Sequence, residues 1–316
     1  VVKHLSELGA NVDVYNQCGA QEGKYGSARY IDFARFSDDL SAKIAVAWRN
    51  PGIGPFLKGD QRWLWLHDLH AGPGLTREMI EPFTMVRPVS DWHGWYLRQQ
   101  YPFWDGKIKP TRNGIDLDRF NGVEIERNAH RAIYCSAPDR GLIFLLQMWP
   151  MIRKFVPDAE LHVFYGWETF DRTIQQTRDP NMAAFKNTIV QMLAQDGVVY
   201  RGRLPQKELA REQRMAAVWT YQTSFLEVSC ITAMEVMASG CVVLSTIAGA
   251  IPETVSSGGL LVRGAPSSDA YQNTFTQYAI ALMTKKDGWD TWSQRGLARA
   301  SRFTWLDVAR EWLSHV

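Results

Sequence analysis

Ser224-Phe225-Leu226-Glu227-Val228-Ser229-Cys230-Ile231-Thr232-Ala233-Met234-Glu235-Val236-Met237-Ala238-Ser239-Gly240 is the stretch that decides the reading of this chain. A loop glutamate comes first, then small hydroxyl and thiol residues where a helix should start, then a second glutamate two turns in. At about 100° per residue, the eight steps from Glu227 bring Glu235 back to within roughly 80° of the face on which Glu227 enters. A ligand lying across that helix start is expected to touch both carboxylates, with the backbone amides between them facing an anion. A carboxylate accepts two hydroxyl hydrogen bonds in a fork, which suits a vicinal diol. Without its surroundings, the pair would be read as one surface and one cap-region glutamate.

Those surroundings alternate between strand and helix signals, the mark of a doubly wound α/β architecture. After a helical start at Val1–Gly9, strands are expected at Asn11–Tyr15, Ile44–Trp48, Trp63–His67 and Phe83–Ser90, with a helix at Trp92–Gln100. Glu124–Asn128 reads as a linker. A second register follows, with strands at Arg131–Cys135, Leu161–Tyr165, Val198–Arg201, Val218–Gln222, Cys241–Thr246 and Leu260–Val262. Its helices are expected at Gly141–Phe155, Phe185–Gln195, Gln206–Ala216, Pro252–Ser256 and Asp269–Thr284, with Trp305–His315 closing the chain. The expected domains are therefore 1–124 and 125–302, with a C-terminal helix over 303–316 packing back on the first.

A chain of 316 residues with 46% hydrophobic residues has room for two cores. A net charge of +2 argues against bulk electrostatic binding of nucleic acid. Cys18, Cys135, Cys230 and Cys241 follow neither zinc nor disulfide-framework spacing and read as thiols in a reducing compartment. No apolar run approaches the roughly 18 residues of a membrane span. A cytoplasmic location is expected. The segment Trp92–Arg112 interleaves aromatic and basic residues, so it is read as core packing, as an acceptor groove or as a peripheral contact with the inner face of a membrane. An α/β domain normally opens with a strand and turn before its first helix, so the chain is expected to lack its first strand and the loop after it.

Four pieces in order give these residues a recognisable pattern: Glu227 to Glu235 with Ala238–Val243 after it, Gly249-Ala250-Ile251-Pro252-Glu253-Thr254-Val255, Asn113-Gly114-Ile115-Asp116 with Phe120 downstream, and Asp139-Arg140-Gly141-Leu142. The pattern resembles the retaining, nucleotide-sugar-dependent glycosyltransferases of the GT-B fold, in their largest, family 4-like group. The resemblance implies two Rossmann-like domains with parallel sheets facing a central cleft, the first for the acceptor and the second for a nucleoside-diphosphate sugar. It implies that Glu227 contacts the donor hexose and Glu235 the ribose hydroxyls. The amides of Val228, Ser229 and Cys230 would face sugar and diphosphate, and Gly166 and Arg203 would join the donor-binding set. Arg140 stands where the family places a cation against the diphosphate. A fixed charge there stabilises the departing phosphate without a metal or other cofactor. The chain departs from the family at Tyr134-Cys135-Ser136, where a second arginine is usual, so Arg201 or Arg203 is a candidate substitute. It also lacks the glycines usual after the first glutamate.

His67, at the end of Trp63-Leu64-Trp65-Leu66, is expected to bond a sugar hydroxyl or pass a proton from the acceptor. A satisfied strand-end histidine is the plainer alternative. The acceptor is expected to be a glycan, a lipid-linked group or another hydroxyl compound. Two rival functions remain: a catalytically silent nucleotide-sugar or glycan binder on the same fold, and a metal-dependent hydrolase using His67, Asp68 and His70.

Overall fold

A computed structural model describes residues 1–37, 39–70, 76–122 and 125–316. The boundary expected at residue 124 lies outside the described residues. The chain forms two units. The first comprises Val1–Asp116, Glu227–Ser229 and Phe303–Val316, and the second Leu117–Leu226 and Cys230–Arg302.

In the first unit, the opening helix α1 (Val2–Glu7) leads to β1 (Asp13–Asn16) through Gly9, whose φ of 92° only glycine adopts cheaply. Strands β2 (Gly23–Tyr25) and β3 (Ala28–Asp32), absent from the sequence reading, join β1 in a sheet of order β1-β3-β2 whose β2–β3 pair is antiparallel. A separate parallel sheet holds β4 (Ser41–Trp48), β5 (Lys58–Leu66) and β6 (Met85–Pro88). The short α2 (Arg77–Ile80) and then α3 (Asp91–Gln100) accompany it, and Ser90 caps α3 by accepting the His93 N–H at 2.9 Å. Leu64, Leu66, Phe83, Val86, Leu97 and Trp104 form the core here.

The second unit carries one six-stranded parallel sheet of β7 (Asn128–Cys135), β8 (Glu160–Phe164), β9 (Val198–Gly202), β10 (Ala216–Tyr221), β11 (Val242–Thr246) and β12 (Gly259–Val262). Its order, β12-β11-β10-β7-β8-β9, is that of a dinucleotide-type doubly wound sheet. β10 is buried at every residue, as a central parallel strand covered on both faces must be. Its helices are α4 (Leu142–Phe155), α5 (Glu168–Thr177), α6 (Pro180–Met192), α7 (Gln206–Met215), α8 (Ile231–Ala238), α9 (Ile251–Val255), α10 (Asp269–Thr284) and α11 (Lys286–Ala300). Pro150 sits inside α4 and cannot donate to the Leu146 carbonyl; Gln195 Nε2 donates to that carbonyl instead, at 3.1 Å.

The described end of the expected linker is held in place. Asn128 already belongs to β7, and Arg127 donates to the carbonyls of Ala216 and Ser239 while lying over the Trp289 ring. From Arg302 the chain returns to the first unit as α12 (Trp305–Leu313), capped by Thr304, which accepts the Asp307 N–H at 3.0 Å. Trp312 packs edge-on against Trp63 at 5.4 Å, and Glu311 pairs with the buried Arg87. Ile115 donates to the Phe303 carbonyl at 2.9 Å. That contact explains Asn113-Gly114: a Cβ at Gly114 would lie 2.4 Å from the Trp305 nitrogen. No described helix is long and apolar enough to cross a membrane.

Candidate functional site

A doubly wound sheet offers its ligand crevice outside the carboxyl ends of the strands, where the order reverses. In the second unit that point lies between β7 and β10. The loop leaving β7 passes through a short turn of helix at Pro138–Arg140 and then Gly141, which has φ 105°. Gly141 is buried, and a Cβ on it would lie 1.9 Å from the Gln222 carbonyl oxygen. Gln222 Nε2 in turn donates to the Gly141 carbonyl at 2.7 Å. Glycine is therefore what lets the loops leaving the two central strands touch. The contact fixes Arg140, whose guanidinium carbon stands 3.2 Å from the Phe225 ring centroid.

Beside this point, a cleft of about 280 Å³ opens among the loops after β10, β11 and β12. Thr223, Ser224, Thr246 and Gly249 lie on its wall with the apolar Leu226 and Ile247. The wall is braced from behind: Thr223 N–H donates to Thr246 Oγ1 at 2.9 Å, and that hydroxyl meets Tyr271 Oη at 2.6 Å. The motif running to Pro252-Glu253 becomes α9, pinned where Arg299 donates to the Glu253 and Thr254 carbonyls at 2.6 and 3.0 Å.

The two glutamates are placed differently from the expectation. α8 begins at Ile231, with Cys230 as its N-cap at φ −82°, ψ 90°. Glu227 to Cys230 are not helical, so the rotation of eight helical steps does not apply, and Glu227–Ser229 belong to the first unit. Only the Cys230 amide sits at the helix start; those of Val228 and Ser229 lie upstream of it. Glu235 is one helical turn into α8 and half-buried. Arg119 Nη1 donates to its Oε1 at 3.0 Å. Burial pushes the Glu235 carboxyl up from its ordinary value, while the Arg119 charge and hydrogen bond pull it down. Arg119 lies on a short helical turn, Leu117–Phe120, just after Asn113-Gly114-Ile115-Asp116. No local motif marks Arg119, although it directly precedes Phe120.

Arg201 lies on β9 itself and pairs with Glu212 at 3.0 Å, whereas Arg203 is exposed in the loop beyond. Gly166 is buried, and the Glu168 carboxylate occupies the space a side chain would need, 1.9 Å from its would-be Cβ.

In the first unit, His67 follows β5 and stacks edge-on against Trp65, with ring centroids 4.4 Å apart. Burial, then the charges of Arg49 and His93, lower its pKa to about 4. His93 on α3 is fully enclosed and is held at about 4 by burial. The Nε2 atoms of both rings are buried with no hydrogen-bond partner among the described residues. Asp68 pairs with Arg49 at 3.4 Å and His70 faces the Tyr96 ring. No group of three or more His, Cys, Asp or Glu side chains among the described residues could hold a metal ion. Within Trp92–Arg112, Leu97 and Trp104 are core, while Arg98 is paired with Asp105 at 2.8 Å and Lys107 donates to the Glu81 carbonyl at 2.9 Å. Trp95 and Phe103 remain exposed.

No family model matches the sequence, and no curated protein matches it significantly. Solved structures do resemble the fold. A glycosyltransferase from Rickettsia africae superposes with a TM-score of 0.74 at 12% identity, over 99% of this chain and 91% of that one. A sucrose-phosphate synthase from Thermosynechococcus elongatus gives 0.73 at 16% identity, over 99% and 90%. The Anabaena protein HepE, in complex with UDP and glucose, gives 0.65 at 15% identity, over 81% and 72%. The chain spans about half, 53%, of a chain from the GtfA/B complex that it also resembles. With a dinucleotide-type sheet in the second unit and these neighbours, the chain has the GT-B fold of glycosyltransferases.

Proposed function

We propose that this protein is a retaining glycosyltransferase that moves a hexose from a nucleoside-diphosphate sugar to a glycan, lipid-linked or other acceptor hydroxyl, without a metal. The observation that carries the reading is the half-buried Glu235 carboxylate held by Arg119, on the helix that follows the β10 end of the switch point. A carboxylate near the switch point, with a cation drawing it towards its charged form against the effect of burial, suits a ribose diol better than a phosphate. HepE, similar in fold, binds UDP and glucose.

Under this reading Glu235 takes the ribose, Arg140 steadies the diphosphate, and the amides of Val228, Ser229 and Cys230 lie near phosphate and sugar. Arg203 and Gly166 belong to the same donor-binding set. Glu227 accepts hydroxyl hydrogen bonds from the hexose. His67, kept neutral by burial, serves as a hydrogen-bond partner for sugar or acceptor rather than as a cation. In the reaction, the bond from the anomeric carbon to the phosphate oxygen breaks and a bond to the acceptor oxygen forms on the same face. The acceptor proton passes to the leaving phosphate oxygen, and charge on that phosphate is balanced by Arg140.

The test is a panel of nucleotide sugars assayed for transfer and donor hydrolysis, with the product's anomeric configuration read by NMR. Turnover with retention and its loss in Glu227→Ala are expected. Wild-type turnover in Glu227→Ala refutes the assignment of that residue, inversion refutes the retaining mechanism, and donor binding without turnover identifies a silent binder. Turnover that is abolished by chelation and restored by added metal would return the metal-dependent class.

A further inference from the structure

The contact between Arg119 and Glu235 joins two pieces of sequence 116 positions apart within one unit. Arg119 rides on the turn Leu117–Phe120, which is anchored by the buried Phe120 and packs against α7 and α8. Its side chain is 26% exposed and that of Glu235 is 17% exposed, so neither is a loose surface group. The contact is end-on: one guanidinium nitrogen meets Oε1, and Oε2 has no hydrogen-bond partner among the described residues. A bidentate fork would have occupied both oxygens. As built, one oxygen is tied to the scaffold and the other remains an acceptor.

We propose that Arg119 is a positioning residue, which by holding Oε1 orients Glu235 so that Oε2 accepts hydrogen bonds from the ribose hydroxyls of a nucleoside diphosphate. The inference rests on the donor-binding role given to Glu235 above and adds to it a residue outside the paired-glutamate motif. Arg119 has two effects on this carboxylate. It sets the rotamer, because the carboxylate plane must present Oε1 to a fixed guanidinium. It also opposes the proton that burial would otherwise add, and a protonated carboxyl would offer a donor where the diol needs an acceptor. Arg119 need not touch the nucleotide.

The experiment is calorimetric titration of the full chain with UDP, GDP and ADP and with their 2′,3′-dideoxy counterparts. The ratio of affinities, ribose over dideoxyribose, reads Glu235 alone, because phosphate and base are common to both compounds. A wild-type ratio of about tenfold or more is expected from hydrogen bonds to a charged acceptor. It should fall towards one in Glu235→Gln and in Arg119→Met, with dideoxy affinity nearly unchanged, and Arg119→Lys should recover part of it. A structural role would instead lower both affinities together. A wild-type ratio in Arg119→Met overturns the inference and leaves the transferase reading standing. If wild-type protein binds none of the three diphosphates, the transferase reading falls and takes the inference with it. If it binds them without discrimination, the ribose role of Glu235 and the inference fall. Should Arg119→Met not fold by circular dichroism, Arg119→Gln decides on the same ratio, an unchanged value again overturning the inference.

Discussion

Acidification from about pH 7.5 to about pH 5 is expected to weaken the first unit through two enclosed imidazoles. His67 and His93 are both held at about 4 by burial, against an ordinary value of 6.5. An unfolded histidine takes up a proton near 6.5, whereas the folded one stays neutral until about 4. Between those values the unfolded chain binds more protons, so stability is complete above about 6.5 and is lost as pH falls towards 4. Of the ~2.5-unit gap, ~1.5 units lie above pH 5. At ~1.4 kcal/mol per unit, one histidine therefore costs ~2 kcal/mol at that pH. The charge of His93 contributes to the lowering at His67, so the pair costs less than twice this, ~3 kcal/mol. The measurement is urea unfolding by circular dichroism at both pH values, for wild type and His93→Gln. The variant's stability at pH 7.5 is immaterial. What counts is its loss on acidification, which should be smaller than the wild-type loss by ~1–2 kcal/mol. Equal losses in the two proteins would refute the reasoning.

Two further substitutions test the packing arguments. Gly141→Ala combines a side chain at φ 105° with a Cβ 1.9 Å from the Gln222 carbonyl, and should destabilise the second unit by at least ~3 kcal/mol. A melting temperature within a degree or so of wild type would show that the β7 and β10 loops do not need to touch. Trp312→Ala removes an indole that packs on Trp63 and donates to Thr111 Oγ1 at 3.1 Å; a loss of ~3–5 kcal/mol is expected in urea unfolding. If limited proteolysis finds α12 as protected as before, that anchor is not the tryptophan.

The second unit was largely legible because its strands are short apolar runs between turn signals, and parallel burial leaves them little choice. Helices α5 and α11 were missed. Glu168–Thr177 buries no residue and has a low mean hydropathy, and Lys286–Ala300 carries two glycines with few apolar positions, so neither offers the core-forming apolar residues that mark the other helices. β2 and β3 were missed for a similar reason: Gly23–Tyr25 is three residues long and mostly exposed. At the site, the sequence marked Glu235 and Arg140 but carried the helix back through Glu227, because hydroxyl residues ahead of an apolar run look like a first turn. The structure starts the helix at Ile231. Arg119 lay hidden for another reason. Its meaning comes from a partner 116 positions downstream, and no local pattern records such a contact.

The return of the chain as α12 has a bearing on synthesis. The cluster around Trp63 includes Val308 and Trp312, so this layer of the first unit must wait until α12 has been translated. The 186 residues from Leu117 to Arg302 emerge in between and, apart from Glu227–Ser229, make up the second unit. At ordinary elongation rates that is a delay of roughly 10–40 s. By its end all six strands of the second unit's sheet have been made, while Trp63, Ile44 and Val46 still lack their covering helix. The nascent first unit therefore carries an uncovered indole face during that interval, and the window closes when α12 emerges to cover it.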